Sequence, residues 1–211
     1  MPLLQADQLR VDLRTHRGSA TAVRGVSFAL ERGDTLGLIG ESGCGKSMTA
    51  LALMGLLPDN ARVHGSLKLD GQELVGLPDR DWRRLRGNRI AMIFQEPMTA
   101  LNPVHRVGAQ IAEPLMLHKG LAARAARQRA VELMARVGIP EPARRADSFP
   151  HQFSGGQRQR IMIAMALACE PDVLIADEPT TALDVTVQQQ ILTLIRELVA
   201  ERGMALVLIS H

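Results

Sequence analysis

The sequence predicts an α/β fold with an antiparallel β-subdomain at its N-terminus and a helical subdomain inserted into the core. Three observations lead to this prediction. The first thirty residues alternate apolar and polar side chains, four short apolar runs follow later, and a stretch rich in Ala, Leu and Arg lies between the second and third of these runs. The 211 residues are enough for one sizeable domain.

The alternating segments "LRVDLR" and "TAVRGVSFAL" are typical of antiparallel strands with one face in water. The four apolar runs are nearly continuous instead, as in strands buried within a sheet. They are "TLGLIG" (35–40), "IAMIFQ" (90–95), "VLIADE" (173–178) and "ALVLISH" (205–211). Residues 185–203 carry one apolar stripe, which predicts an amphipathic helix that ends at Gly203.

Residues 97–153 differ from the rest because Ala, Leu and Arg dominate and five prolines after Pro97 interrupt them. We interpret this stretch as the inserted helical subdomain. The α/β core and the β-subdomain would then occupy residues 1–96 and 154–211.

Composition narrows the class of protein. No apolar run reaches the roughly 18 residues of a membrane span, and we expect no signal peptide. Cys44 and Cys169 fit no metal or disulfide spacing, which favours a reducing, cytosolic setting. The arginine clusters at 80–89 and 123–130 could form surfaces that bind nucleic acid. However, only 2% of the residues are aromatic, so few side chains are available to stack on bases. A solvated helical face or a protein contact is therefore favoured, and no nucleic-acid partner is expected.

The segment "GESGCGKS" matches the phosphate-loop pattern G-x-x-x-x-G-K-[ST], with a strand predicted before it and a helix after it. Its glycines let backbone N–H groups point at phosphate oxygens, and the helix N-terminus adds a positive dipole end. Lys46 would neutralise the β- and γ-phosphates, and Ser47 would offer its hydroxyl to Mg²⁺. The predicted nucleotide contacts are Gly40, Glu41, Ser42, Gly43, Cys44, Gly45, Lys46 and Ser47.

Polar residues at the ends of three apolar runs complete a candidate catalytic set. Asp177 would hold Mg²⁺, and Glu178 would act as general base toward an attacking water. Gln95 would reach Mg²⁺ or that water, and His211 would contact the γ-phosphate. Each of these residues alone is typical of an ordinary strand end or turn, so only their occurrence together supports a catalytic site.

A second small loop, "SGGQ", opens the helix-forming run "QRQRIMIAMAL". Ser154, Gly155, Gly156 and Gln157 either form a second anion site at a helix N-terminus or are an ordinary serine N-cap with glycines beside it.

With these motifs in this order, the chain resembles the ATP-binding subunits of ABC transporters. Gly40–Ser47 matches the Walker A motif, Gln95 matches the Q-loop, and residues 154–157 match the signature motif. Residues 173–178 match the Walker B motif, "TALD" (181–184) matches the D-loop, and His211 matches the switch histidine. The resemblance implies a phosphate-loop NTPase core of ABC type that binds ATP and Mg²⁺. It also implies that two such subunits pack head to tail, so that each ATP lies between Walker A of one and the signature of the other.

The segments around the motifs are similar to the subgroup that imports dipeptides, oligopeptides, nickel and glutathione. This similarity implies two transmembrane permease subunits, a solute-binding protein, an identical or related second ATPase, and a peripheral place on the cytoplasmic face of the bacterial inner membrane. Met98, Leu101, Pro103 and Val104 are candidate permease contacts, or else core of the helical subdomain.

Two departures from the family pattern affect these expectations. The usual aromatic residue for stacking adenine is absent, which leaves Leu13, His16 or Val23 for that place. The family fold also continues beyond the switch histidine, so we expect a fold truncated after His211 with weak ATP turnover in isolation. The alternative functions are the ATPase-like component of a phosphonate-degrading complex and a soluble non-transport ABC ATPase. The latter is disfavoured because residues 95–154 hold no long coiled coil and no cysteine.

Overall fold

The structure is a computed structural model that describes residues 1–16, 18–96, 100–180 and 183–210. Within these ranges the strands are β1 (Leu4–Thr15), β2 (Gly18–Leu30), β3 (Thr35–Ile39), β4 (Ala61–Leu69), β5 (Gln72–Glu73), β6 (Ile90–Ile93), β7 (Val173–Asp177) and β8 (Ala205–Ser210). The helices are α1 (Lys46–Leu53), α2 (Asp79–Leu85), α3 (Val107–Lys119), α4 (Ala123–Arg136), α5 (Pro142–Arg145), α6 (Gly155–Ala166) and α7 (Val185–Arg202), with a 3₁₀ turn at Pro150–Gln152.

An antiparallel sheet with strand order β2-β1-β4-β5 forms the N-terminal part. Its apolar positions, such as Leu4, Leu9 and Val11, are buried, while the residues between them are largely exposed. The predicted antiparallel strands with one face in water are therefore confirmed.

A parallel sheet with strand order β3-β8-β7-β6 forms the core. Successive side chains of a strand point to opposite faces, so each buried strand contributes to two hydrophobic layers. In β7, Val173 and Ile175 pack with the antiparallel sheet, α1 and α2, whereas Leu174 and Ala176 pack with α3, α4, α6 and α7. The parallel sheet is thus the middle layer of three, so three of the four apolar runs form strands that are largely buried on both faces.

The prediction that "TLGLIG" is a buried strand is wrong. β3 is at the end of the strand order, and its residues alternate between exposed and partly buried. Leu36 and Leu38 pack toward the antiparallel sheet, but Ile39 on the other face is 78% exposed. The apolar run correctly predicts a strand, but it does not indicate whether that strand lies at the edge of the sheet.

The amphipathic helix predicted near the C-terminus is α7. Ile191, Ile195 and Leu198 on its stripe are buried, and Gly203 ends it in the left-handed conformation with φ +60°. The stretch interpreted as a helical subdomain contains α3, α4 and α5. α3 and α4 share one continuous hydrophobic core with α6 and α7, whereas α5 has no buried residue. The proposed boundaries at residues 97 and 153 stay a prediction.

In the described ranges, no helix combines the length and the apolar character that a bilayer crossing requires.

A small ionic network ties the two sheets together. Asp172, which precedes β7, accepts hydrogen bonds from Arg32 after β2, at 2.7 Å, and from Arg89 before β6. Arg89 also pairs with Asp70 at the end of β4, with 3.4 Å between nitrogen and oxygen. Partial burial opposes ionisation of Asp172, but the hydrogen bonds from Arg89 and Arg32 outweigh it, so the pKa of this carboxyl lies below its ordinary value.

We expect Asp172→Asn to lower the free energy of unfolding at pH 7 by about 1 to 3 kcal/mol, because charged hydrogen bonds are lost. The pKa of Asp172 is depressed by folding, so its contribution is complete above the unfolded pKa of about 3.9 and is lost as pH falls through the folded pKa. Urea unfolding of both chains from pH 7 to pH 3 measures this. The difference in the free energy of unfolding between the original chain and Asp172→Asn should become smaller in acid. The exposed control Asp59→Asn should unfold with nearly the same free energy as the original chain at every pH. A constant difference for Asp172→Asn would contradict the assignment.

Candidate functional site

The phosphate-loop pattern lies between β3 and α1, as the sequence predicts. Gly43 and Gly45 adopt φ values of +83° and +100°, which L side chains rarely adopt. Gly45 directly precedes α1, and its carbonyl accepts hydrogen bonds from the backbone N–H and the hydroxyl of Thr49. A Cβ at Gly45 would overlap the carbonyl oxygen of Ala22 in β2. Glycine is therefore required here both by the backbone angle and by the closeness of the neighbouring strand.

Lys46, the first residue of α1, holds the loop together. Its ammonium donates to the carbonyls of Gly40, at 2.5 Å, and Glu41, at 3.0 Å, and only 9% of the residue is exposed. None of the ion pairs among the described residues involves Lys46. A positive charge without a carboxylate partner is thus held at the start of a helix, where an anion is already favoured.

An open cleft of about 910 Å³ adjoins the loop. Its lining brings together eight of the residues predicted for the site: Ser42, Gly43, Cys44, Gly45, Lys46, Ser47, Gln95 and Glu178. Gly40 and Glu41 contribute through the carbonyls that hold Lys46 and do not line the cleft themselves.

Gln95 and Glu178 meet because β6 and β7 are neighbouring parallel strands whose carboxyl ends share one edge. The amide nitrogen of Gln95 donates to a carboxylate oxygen of Glu178 at 2.8 Å. Glu178 is only 6% exposed and has φ +46°, an uncommon conformation for a residue with a side chain. Its backbone N–H donates to Ile209 of β8 at 3.1 Å, which fixes this turn to the sheet. The side chain of Glu178 is therefore held by the amide that follows β6, and its backbone is held by β8.

The donors available for Mg²⁺ suit that ion. Magnesium prefers hard oxygen ligands, and the predicted set consists of the hydroxyl of Ser47, the amide oxygen of Gln95 and the carboxylate of Asp177. Ser47 and Gln95 line the cleft, and Asp177 is the last residue of β7, next to Glu178. Within the described ranges, no three His, Cys, Asp or Glu side chains are grouped so that they could hold a metal ion. A magnesium site here would therefore rest on this mixed set.

The signature segment forms the start of α6 and does not line this cleft. Ser154 caps the helix: its hydroxyl accepts from the N–H of Gln157 at 3.3 Å, and its own N–H donates to the Gln157 side chain at 3.2 Å. The N–H groups of Gly155 and Gly156 have no acceptor within the described part of the chain. The helix start is therefore a capped N-terminus that still presents two donors.

Sequence reasoning missed the wall formed by β2. Residues 21–26 line the cleft, including the exposed Arg24. Of the three candidates for contacting the base, Val23 lies in this wall, while Leu13 and His16 do not line the cleft. No local pattern marks this wall, because it depends on how the antiparallel sheet packs on the loop.

Several predicted residues lie outside the described ranges: His211, Met98, and Thr181 and Ala182 of the D-loop. Among the candidate permease contacts, Val104 is 73% exposed, but Leu101 is buried in the core shared with α3 and cannot present a surface. For Leu101 the alternative interpretation as core is therefore correct.

The chain matches the family model described as "ABC transporter" over residues 23–181, and it therefore belongs to the ABC transporter family. It is 54% identical to the oligopeptide transport ATP-binding protein OppD of Salmonella typhimurium, over 99% of this chain and 62% of that protein. It is 51% identical to the dipeptide transport ATP-binding protein DppD of Bacillus subtilis, over 99% of this chain and 63% of that protein.

Among solved structures, the fold is similar to a dimeric ATP-binding cassette in a post-hydrolysis state bound to ADP and Pi. The TM-score is 0.85 at 28% identity, with 99% of this chain and 88% of the other covered. The chain spans less than two thirds of the length of the transport proteins named above.

We expect Gly45→Ala to destabilise the chain by at least about 2 kcal/mol and to abolish nucleotide binding, because strain at a left-handed position adds to overlap with Ala22. Thermal unfolding and a nucleotide titration measure the two effects. Gly33→Ala is a matched control, since Gly33 has φ +83° with open space around it and should cost only about 1 to 2 kcal/mol. Equal destabilisation by the two substitutions would show that the closeness of β2 is unimportant.

Proposed function

We propose that this chain is the ATP-hydrolysing subunit of an ABC importer for peptides or a related small solute such as nickel or glutathione. It would work with a second, identical or related ATPase and two transmembrane permease subunits, at the cytoplasmic face of a bacterial inner membrane. A solute-binding protein would deliver the cargo. The names of the relatives OppD and DppD support peptide as the class of cargo.

One observation carries the proposal: the phosphate loop and a buried carboxylate face the same cleft. Lys46 and Ser47 lie on one wall, and Glu178, held by Gln95, lies on another. The β- and γ-phosphates of ATP would bind over the start of α1, where backbone N–H groups and the Lys46 ammonium compensate their charge. The base would lie toward β2, against Val23.

Glu178 is the group placed to activate water. The water oxygen would bond to the γ-phosphorus, the bond from that phosphorus to the bridging oxygen would break, and the water proton would pass to the Glu178 carboxylate. Gln95 orients Glu178 through its amide nitrogen and would hold the water or the cation through its amide oxygen. Mg²⁺, held by Ser47, Gln95 and Asp177, would neutralise the charge that develops on the phosphate oxygens.

The signature segment would complete the site of a second subunit. Ser154, Gly155 and Gly156 do not line the cleft of their own chain, and their helix start presents two backbone donors. When two subunits pack head to tail, these donors would face the γ-phosphate bound by the partner. Hydrolysis would remove this shared charge, and the pair would open.

We expect Glu178→Gln to keep Mg·ATP binding within a few-fold of the original chain and to lower hydrolysis by about a hundredfold or more, because the proton acceptor is lost. Lys46→Ala should instead lose binding itself. Equilibrium binding of a fluorescent ATP analogue and phosphate release measure the two properties separately. Hydrolysis by Glu178→Gln at the original rate would exclude Glu178 as the base.

We also expect Glu178→Gln to accumulate as a dimer in Mg·ATP but not in Mg·ADP, because only the triphosphate carries the charge that both subunits share. Size-exclusion chromatography with light scattering detects this. Adding Ser154→Arg to the same chain should prevent the dimer while leaving binding by the monomer intact. A protein that stays monomeric in Mg·ATP without the Ser154 substitution would contradict the shared site. Co-purification with two polytopic subunits would separate an importer from a soluble ATPase.

A further inference from the structure

The far end of the phosphate-loop helix is held by a side chain from another element. α1 ends at Leu53, followed by Met54 and Gly55, and no basic residue lies in its last turn. Arg86, which follows α2, donates from Nε to the carbonyl of Met54 at 2.8 Å and from Nη2 to the carbonyl of Gly55. A guanidinium thus satisfies the carbonyl of the C-cap residue Met54, which has no partner within the helix, and the carbonyl of the next residue, and its charge complements the helix dipole.

Arg86 is itself fixed on two further sides. Asp79 accepts from its Nη1 at 2.9 Å, and the guanidinium carbon lies 5.5 Å from the ring centroid of Trp82. Hydrogen bonds from Arg86 and Arg83, acting against slight desolvation, keep the pKa of Asp79 below its ordinary value, so this partner remains ionised at neutral pH. Asp79 and Trp82 therefore fix the orientation of the Arg86 guanidinium that contacts the end of α1.

Trp82 packs at the same C-terminal end of α1. This residue is the only tryptophan of the chain and is largely buried. A Cβ at Gly55 would overlap its indole ring, so the chain after α1 passes directly beneath Trp82. The ring and the guanidinium together cover both the backbone and the carbonyls at this end of the helix.

We propose that Arg86 is a positioning residue for the phosphate-binding loop. The inference rests on the proposed ATP-binding function and extends it to a residue that lies outside the cleft. α1 has eight residues and is about 12 Å long. A tilt of about 5° at its C-terminal end would move its N-terminus by about 1 Å, and misplacement on that scale is enough to weaken a phosphate site by one to two orders of magnitude.

The test compares nucleotide affinity with stability in the 211-residue chain. Arg86→Met should raise the Kd for Mg·ATP about tenfold, measured by displacement of a fluorescent ATP analogue well below the unfolding temperature. Arg86→Lys should recover part of the affinity, because an ammonium reaches a carbonyl without spanning both. Arg83→Met is the matched control. Arg83 pairs with Asp79 but, unlike Arg86, has no hydrogen bond to the carbonyls of Met54 and Gly55, so the affinity of this variant should be unchanged.

Leu133→Ala, in the other hydrophobic core, supplies a variant that loses stability without touching α1. If it weakens ATP binding as much as Arg86→Met does, the effect of Arg86 is general destabilisation and the proposal is overturned. Unchanged affinity in folded Arg86→Met overturns it as well. If Arg86→Met does not fold, Arg86→Lys decides, and an affinity equal to that of the original chain counts against the proposal. Failure of the proposed function would look different, since the unsubstituted chain would then not bind Mg·ATP, or would bind it no better than Lys46→Ala does.

Discussion

The close approach of Gly45 to the carbonyl of Ala22 is the contact on which the arrangement of the site depends. It places the phosphate loop of the parallel core directly against β2 of the antiparallel sheet. The cleft exists because these two parts meet there, with β2 forming one wall and the loop the other. A residue with a side chain at position 45 would push the two sheets apart and would also lose the left-handed turn that starts α1. The packing of the two sheets and the shape of the cleft thus both require glycine at position 45.

The middle sheet then determines which polar groups can reach the cleft. Its strands are parallel, so their carboxyl ends share one edge, and the adjacent strands β6 and β7 deliver Gln95 and Glu178 side by side. The charges are arranged in a complementary way. The Lys46 ammonium is held by backbone carbonyls at the loop, while the side chain of Glu178 lines the same cleft and accepts a hydrogen bond from the Gln95 amide. Such a site can attract a polyphosphate and still keep a base near it.

The parts of this arrangement that the sequence predicts are those encoded locally. An apolar run ending in Asp177 and Glu178, or in Gln95, marks both a strand and the polar group at its end, and the glycine pattern marks a loop whose backbone geometry few other residues permit. The β2 wall and the Arg86 contact could not be predicted, because packing joins residues that are distant in sequence: Gly45 and Ala22 are 23 positions apart, and Arg86 and Met54 are 32 apart. Ile39 shows the same limit, since its exposure depends on the order of strands in the sheet.

The start of α6 shows why a serine cap and an anion site need not exclude each other. Four N–H groups at a helix N-terminus lack internal partners, and the reciprocal bonds between Ser154 and Gln157 satisfy the N–H groups of those two residues only. Gly155 and Gly156 lie between them without side chains to cover their donors, and the described residues of this chain provide no acceptor. The cap therefore fixes the direction in which the two donors point. An anion from outside the chain can approach them closely because glycine offers no steric barrier.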